Sequence, residues 1–366
     1  MIRVTTNGSL HSYKSNLMQS TNLLNNAMTK LMTQRNFNSY AADPAAATRA
    51  FKLHSSLNSV NAQLSNNQTI KNKYNTAWST MDIIINDLSD KLGKVPALKG
   101  LNGTNLTNLN SQGQILRNGA EAMIQSMNAK YDDDFLFAGA DSQNAPFAID
   151  ADGYITYRGV YIDKDLDQIY HDADGNPMLD ENGNEMTNQQ VLDKWNNEHQ
   201  YVDIGLGFGL DADGNVLDST AFDAAISGIE IMGYGVDEDG DPKNLASIML
   251  RLADIFENFN EDAGNDNGWA SPQDKEDAYR LLDKFNQAQE AMSQQHSSLY
   301  ADAKFLNTNE TQLKDTFDSL NVERGALEDI DTVDVIMELS WAQMCYNAAL
   351  QVGTNVIPQS LMDYMK

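Results

Sequence analysis

The sequence is poor in cysteine, histidine and positive charge, and each shortage excludes something. One cysteine in 366 residues, Cys345, rules out an internal disulfide and a thiolate-rich metal site. Such scarcity fits a cytosolic protein, and equally one exported without a cleaved signal. The longest aliphatic runs, such as Ile83-Ile84-Ile85, are far too short to span a bilayer, so no membrane partner is expected. The first residues, Met1-Ile2-Arg3-Val4-Thr5-Thr6, lead into a polar stretch, which predicts no cleaved secretory signal. The five histidines, His11, His54, His171, His199 and His296, are scattered, and none forms a His-Glu-x-x-His zinc motif.

Basic residues number 25 against 52 acidic ones, for a net charge of −27. Residues 1–140 carry +5, residues 141–275 carry −23 and residues 276–366 carry −9. Acidity concentrated in the middle third argues against nucleic acid as a partner there. Its plain meaning is a soluble, mutually repelling surface.

What the sequence does have is heptad periodicity at both ends. Leu10, Leu17, Leu24 and Leu31 recur every seven residues. From Leu53 to Leu92 an a/d seam alternates steps of three and four, with only Asn67 and Lys71 polar. Asp43 as N-cap and Pro44 at the first helical position mark its start, and Gly93 and Pro96 are expected to stop it. A second seam starts at Ser271-Pro272-Gln273-Asp274, a capping box with Asp in place of Glu. Phe285, Met292, Leu299, Leu306, Leu313 and Leu320 follow every seven residues, as far as Gly325. A last helix is expected from Asp331, ending or bending at Pro358.

Helices over 44–93 and 272–324 would be roughly 75 and 80 Å long at 1.5 Å per residue. Matching lengths suggest an out-and-back pair with everything between them inserted at the far tip. Between about 140 and 270 the heptads vanish and short β-prone runs appear, such as Gly153–Tyr157 and Tyr201–Ile204, separated by Asp/Gly/Asn turns. A helix is expected around Gln189–Asn197, and a loop over 98–112. The expected fold is mainly α: a long antiparallel coiled-coil helical shaft formed by both termini, with an inserted, mostly β (α+β) outer domain.

The strongest chemical candidates are acidic turns beginning at Asp150, Asp172, Asp211 and Asp237. Clustered carboxylates suit calcium, but an EF-hand loop needs Gly at its sixth position and Glu at its twelfth. Here Gly comes fourth, where it serves a tight hairpin turn. Hairpins are therefore the preferred reading, and a calcium-dependent adhesive or binding module is the rival of a different class. Gly205-Leu206-Gly207-Phe208-Gly209-Leu210 lacks the third glycine of a dinucleotide fingerprint and reads as a strand with close backbone packing. His296 sits at a seam position and reads as a packed side chain, and Cys345 reads as a buried, inert thiol. No cofactor, metal ligand set or catalytic constellation can be nominated, so no enzyme is expected.

Three segments resemble the bacterial flagellin family. Phe37-Asn38-Ser39-Tyr40-Ala41-Ala42-Asp43-Pro44-Ala45 is similar to the family's Ile-Asn-Ser-Ala-Ala-Asp-Asp-Pro-Ala segment, departing at Phe37 and Ala42. Ile330-Asp331-Thr332-Val333-Asp334 and Val356–Tyr364 resemble its C-terminal helix entry and tail. Phe135-Leu136-Phe137-Ala138-Gly139, with Ala145-Pro146-Phe147, is similar to the segment of hook–filament junction members where shaft meets outer domain. The resemblance implies an N-terminal assembly helix (1–42), shaft halves (43–140 and 271–329), an acidic outer domain (141–270) and a C-terminal assembly helix (330–366). It implies a secreted, extracellular structural adaptor of the flagellum, exported by the type III route and forming the layer between hook and filament. Filament flagellin is the same-class alternative. Implied partners are neighbouring copies, the hook-side junction protein (hook-associated protein 1), flagellin and an export chaperone. The implied assembly interface is Leu10, Leu17, Leu24, Leu31, Ile336, Met344, Ala348, Val352 and Val356, on segments poorly ordered in the free subunit.

Overall fold

The computed structural model describes residues 6–37, 39, 41, 43–102, 108–172, 174–260 and 269–356. The Pro358 stop, the tail motif beyond Val356 and the Val356 side chain lie outside the described residues. Two compact units divide the chain, one of residues up to 62 and from 313 onward, the other of residues 63–312. The first unit contains helix α1 (Thr6–Thr33), the start of α2 (Pro44–Ile83), the end of α8 (Pro272–Glu328) and α9 (Thr332–Val356). The expected acidic outer domain belongs to the second unit, together with the remaining parts of α2 and α8.

The helix starts follow their caps. Asp43 Oδ1 accepts from the N–H groups of Ala45 and Ala46 at 3.1 and 2.9 Å. Ser271 and Asp274 form the reciprocal box: the Asp274 carboxylate accepts from Ser271 N–H and Oγ–H, and Ser271 Oγ accepts from Asp274 N–H. Asp331 Oδ1 accepts from Val333 N–H at 2.9 Å to start α9.

The expected stop at Gly93 and Pro96 is corrected. The helix passes through both, as a π-helix over Ile84–Lys94 and then α3 over Val95–Asn102. Val95 N–H donates to Asp90 C=O, five residues back. Pro96 is the next residue, and lacking an N–H it sits where the ladder changes from i−5 to i−4 register. The helix break that proline usually causes is absorbed by that change.

In the second unit α4 (Leu109–Met127) packs mainly on α7 (Leu245–Glu257) and on the π-helix. Small antiparallel sheets follow α4: β1 (Lys130–Tyr131) with β2 (Asp134–Phe135), and β3 (Phe147–Ile149), β4 (Ile155–Tyr157) and β5 (Val160–Tyr161) in order. Helix α5 (Asn188–Asn196), opened by a Thr187/Gln190 capping box, precedes β6 (Tyr201–Val202), which pairs with β7 (Phe222–Asp223). A short α6 (Gly228–Met232) then leads to α7. Gly205–Leu210 is no strand. It is an open loop with Gly205 and Gly207 at positive φ and Leu206, Phe208 and Leu210 exposed. One contiguous hydrophobic core runs from Ile70 to Leu306 in sequence, entirely within the second unit. Among the described residues no helix is long and apolar enough to cross a membrane.

Candidate assembly surface

In the first unit α1 and α9 pack on each other, antiparallel. Lys30 Nζ meets Glu338 Oε2 at 3.1 Å near one end. Gly353 lies against the Tyr13 ring near the other, so closely that an added Cβ would stand 2.1 Å from the hydroxyl. Ala27 of α1 and Val335 and Ala342 of α9 are buried. Leu17, Leu24 and Leu31 are half-buried on the Ala27 side of α1. The heptad leucines therefore serve mainly the pairing within the chain, and Leu10 stays exposed. The terminal segments expected to be poorly ordered are, over their described residues, helical and paired in the single chain.

Helix α9 is apolar on two sides. Val333, Met337, Trp341, Met344, Ala348 and Val352 recur at steps of four, four, three, four and four, and all are exposed. The five larger side chains are each between 53% and 65% exposed. Val335, Ala342 and Gly353 occupy the opposite side, toward α1. A continuous apolar stripe on a helix face is normally buried against another element. Ile336 is exposed beside the stripe, so Ile336, Met344, Ala348 and Val352 of the expected interface are free of intramolecular cover. The expected interface omitted Val333, Met337 and Trp341 on this stripe, and Met18, Met28 and Met32, exposed on α1. Their signal was present in the apolar content of both sides of α9; a search for a single seam passes over it. Cys345 lies at the edge between the two faces and is half-buried, not buried.

The two chain reversals of this unit are stitched together. Asn36 donates its N–H to Glu328 C=O at 2.8 Å and its Nδ2 to the carbonyls of Leu327 and Asp329 at 3.4 and 2.9 Å. These are carbonyls that the C-terminus of α8 leaves without helical donors. The buried Glu328 carboxylate faces His54 Nε2 at 2.8 Å and Arg35 at 4.0 Å. Arg35 stays mostly exposed at the rim of this pair.

In the second unit the Phe135–Gly139 motif is a packing knot. Leu136, Phe137 and Ala138 are buried. Gly228 N–H donates to Phe137 C=O at 3.0 Å, and Gly139 N–H to Ile226 C=O at 3.0 Å. Arg158 holds Ala138 C=O with its Nε and Nη2, pairs with Glu198 at 2.9 Å, and covers the Tyr157 and Trp195 rings. Burial pushes the Tyr157 hydroxyl up to about 12. Gly139 has φ +67°, and an added Cβ would stand 3.0 Å from Arg158 Nη2.

The acidic turns are hairpins, as their fourth-position glycines predict. In each, the first Asp accepts two backbone N–H groups on one oxygen, from residues two and four ahead. A fifth copy, Asp180-Glu181-Asn182-Gly183-Asn184, has the same bonds and escaped sequence reading because its third residue is Asn. Residues flanking the loops pair across them, as His171 with Pro177 and Leu179 with Glu185. Among the described residues, Asp237, Asp239 and Asp241 form a carboxylate group with one oxygen of each within 4.8 Å of the others. It is already neutralised: Lys284 reaches Asp237 and Asp239, Arg280 Nε meets Asp241 Oδ2 at 2.7 Å, and Arg251 lies 3.8 Å from Asp241. A cation entering there would have to displace three positive side chains. His296 stacks on Trp78 with 5.3 Å between ring centroids, a packed histidine as expected.

No family model and no curated protein matches the chain. Solved structures do. A protein provisionally assigned as a flagellar hook-associated protein, from Vibrio parahaemolyticus, is 15% identical with a TM-score of 0.54, covering 79% of this chain and all of its own. The flagellar hook associated protein-3 of Legionella pneumophila is 12% identical, with a TM-score of 0.47, covering 75% of this chain and 98% of its own. Bacillus cereus FlgL is 15% identical, with a TM-score of 0.42, covering 75% and 99%. The mainly helical architecture with small antiparallel sheets is accordingly a fold that this chain shares with the Vibrio protein.

Proposed function

We propose that the chain is a structural subunit of the bacterial flagellum that forms the junction layer between hook and filament. The observation that carries this reading is the second, uncovered apolar face of α9, in a unit that contributes nothing to the contiguous core. Such a helix needs cover that its own chain does not supply. Shared fold with a hook-associated protein supports the choice of assembly. The stripe from Val333 to Val352, with Ile336 and Leu10, is the contact surface for neighbouring copies, and for the hook-side protein and flagellin above and below. Leu17, Leu24 and Leu31 act at one remove, by holding α9 in place. Before assembly an export chaperone covers the α9 stripe, and export through the flagellar type III route delivers the subunit outside the cell. The role is mechanical and uses no catalytic group.

Deletion of the gene in its source bacterium, with imaging and an assay of the medium, tests the reading. Hooks without filaments, with flagellin lost to the medium, are expected. Loss of the filament antigen itself would favour filament flagellin instead, and intact filaments in a strain lacking any second copy would refute both.

A further inference from the structure

In the second unit α2 and the π-helix that continues it run antiparallel to α8, with Asn67 beside Asn309, Trp78 on His296 and, from the π-helix, Ser89 bonded to Gln289. The apolar part of this seam cannot choose its own register. Phe285, Met292, Leu299 and Leu306 repeat every seven residues, so a slip of one heptad, about 10 Å along the axis, still sets apolar against apolar.

The polar residues behave differently. Asn67 is fully buried; its Nδ2 donates to Leu306 C=O at 2.9 Å, and its Oδ1 accepts from Asn309 Nδ2 at 3.0 Å. Asn309 Nδ2 also donates to Ile204 C=O at 2.8 Å. Lys71 pairs with the buried Glu310, whose other oxygen accepts from Gln68 Nε2 at 3.1 Å. A slip of seven residues in either direction sets Lys71 against Ala303 or Phe317, and Glu310 against Leu64 or Trp78. Both charges would then be buried without each other, which costs far more than the pair contributes. The same layer seats the acidic region on the helices. Gln63 Nε2 donates to Asp203 Oδ2 at 3.0 Å and Asn66 Nδ2 to Asp203 C=O at 3.1 Å, beside the Asn309–Ile204 bond.

We propose that Asn67, Lys71, Asn309 and Glu310 form a register lock, which selects one alignment of α2 on α8 and thereby fixes where the loop at Asp203–Ile204 docks. The lock contributes uniqueness of structure, not stability.

The test uses the full chain with Cys345→Ser and spin labels at the exposed positions Asn72 and Lys304. The parent should give one narrow distance. Replacing the layer with apolar residues (N67L, K71L, N309L, E310L) should leave the thermal midpoint equal or higher while adding a second distance population. One native distance in that variant overturns the proposal. Should the variant not fold, a charge exchange decides. Lys71→Glu alone should lower the midpoint and split the distance, and adding Glu310→Lys should restore both; failure to restore the single distance overturns the lock.

Discussion

Gly139→Ala isolates the knot at which Arg158 holds Ala138. The backbone there has φ +67°, and an L-residue in that region costs about 1–2 kcal/mol. The added methyl would meet Arg158 Nη2 at 3.0 Å and Tyr157 Oη at 3.4 Å, so the guanidinium has to give way. It bonds Ala138 C=O, and weakening a hydrogen bond from a charged donor costs a further ~1–3 kcal/mol. The expected destabilisation of the second unit is about 2–5 kcal/mol, or roughly 4–20 °C in a unit of this size. Urea unfolding followed by tryptophan fluorescence reads it, because Trp195 lies under the same guanidinium. Gly183→Ala is the control: its φ is +83° but nothing stands within 4 Å of the new methyl, so only the backbone cost remains. If both variants lose the same amount, the Arg158 contact contributes nothing and the account of the knot is refuted.

Trp341→Ala with Met344→Ala should leave the urea transition of the second unit unchanged and weaken self-association by about 2–3 kcal/mol, roughly 30- to 150-fold, measured by sedimentation. Asn36→Ala removes two side-chain bonds to the α8 carbonyls and should destabilise the joint by about 1 kcal/mol; faster amide exchange confined to residues around 327–335 would register it. Two sets of carboxylates should respond to pH with opposite sign. Backbone N–H bonds from Asn176, Asn184 and Asn215 hold Asp172, Asp180 and Asp211 below the usual carboxylate range. Their loops should stay closed above about pH 4 and loosen only as pH falls through the lowered values, visible in amide exchange. Asp163, by contrast, is pushed up by burial and leaves Oδ1 unpaired, so its contribution worsens as pH rises above about 4. Asp163→Asn should therefore stabilise the protein at pH 7 by about 1 kcal/mol in thermal melts, and a loss of stability would contradict the reading.

Much of the helical plan was legible because its signals are local. Asp43-Pro44, Ser271-Pro272-Gln273-Asp274 and Asp331 each supply their own cap, and the heptads of α8 extend over many turns. Pro96 misled because its effect depends on the hydrogen-bond register of the preceding turns, which a π-helix changes. Gly205–Leu210 misled because alternating glycines are compatible with a strand or an open loop, and only neighbours distinguish them. The hairpins were legible from a glycine at the fourth position. Arg158 was not: its role needs Ala138, Glu198 and Trp195, which lie twenty to forty residues away. The candidate surface was half legible, since heptad leucines show that a helix has a partner without showing whether that partner is intramolecular.

The Asp-led hairpins have a consequence for how this region can change. Each loop closes on its own first carboxylate, and its flanking residues are bridged, so the chain leaves a loop close to where it entered. The copies at Asp172 and Asp180 follow directly, eight residues apart. An added eight-residue copy closed in the same way would return the chain to where it entered, and the sheets and helices on either side would not have to shift. The acidic face can thus be lengthened in whole steps, as a comb gains teeth, while the helices on either side keep their geometry.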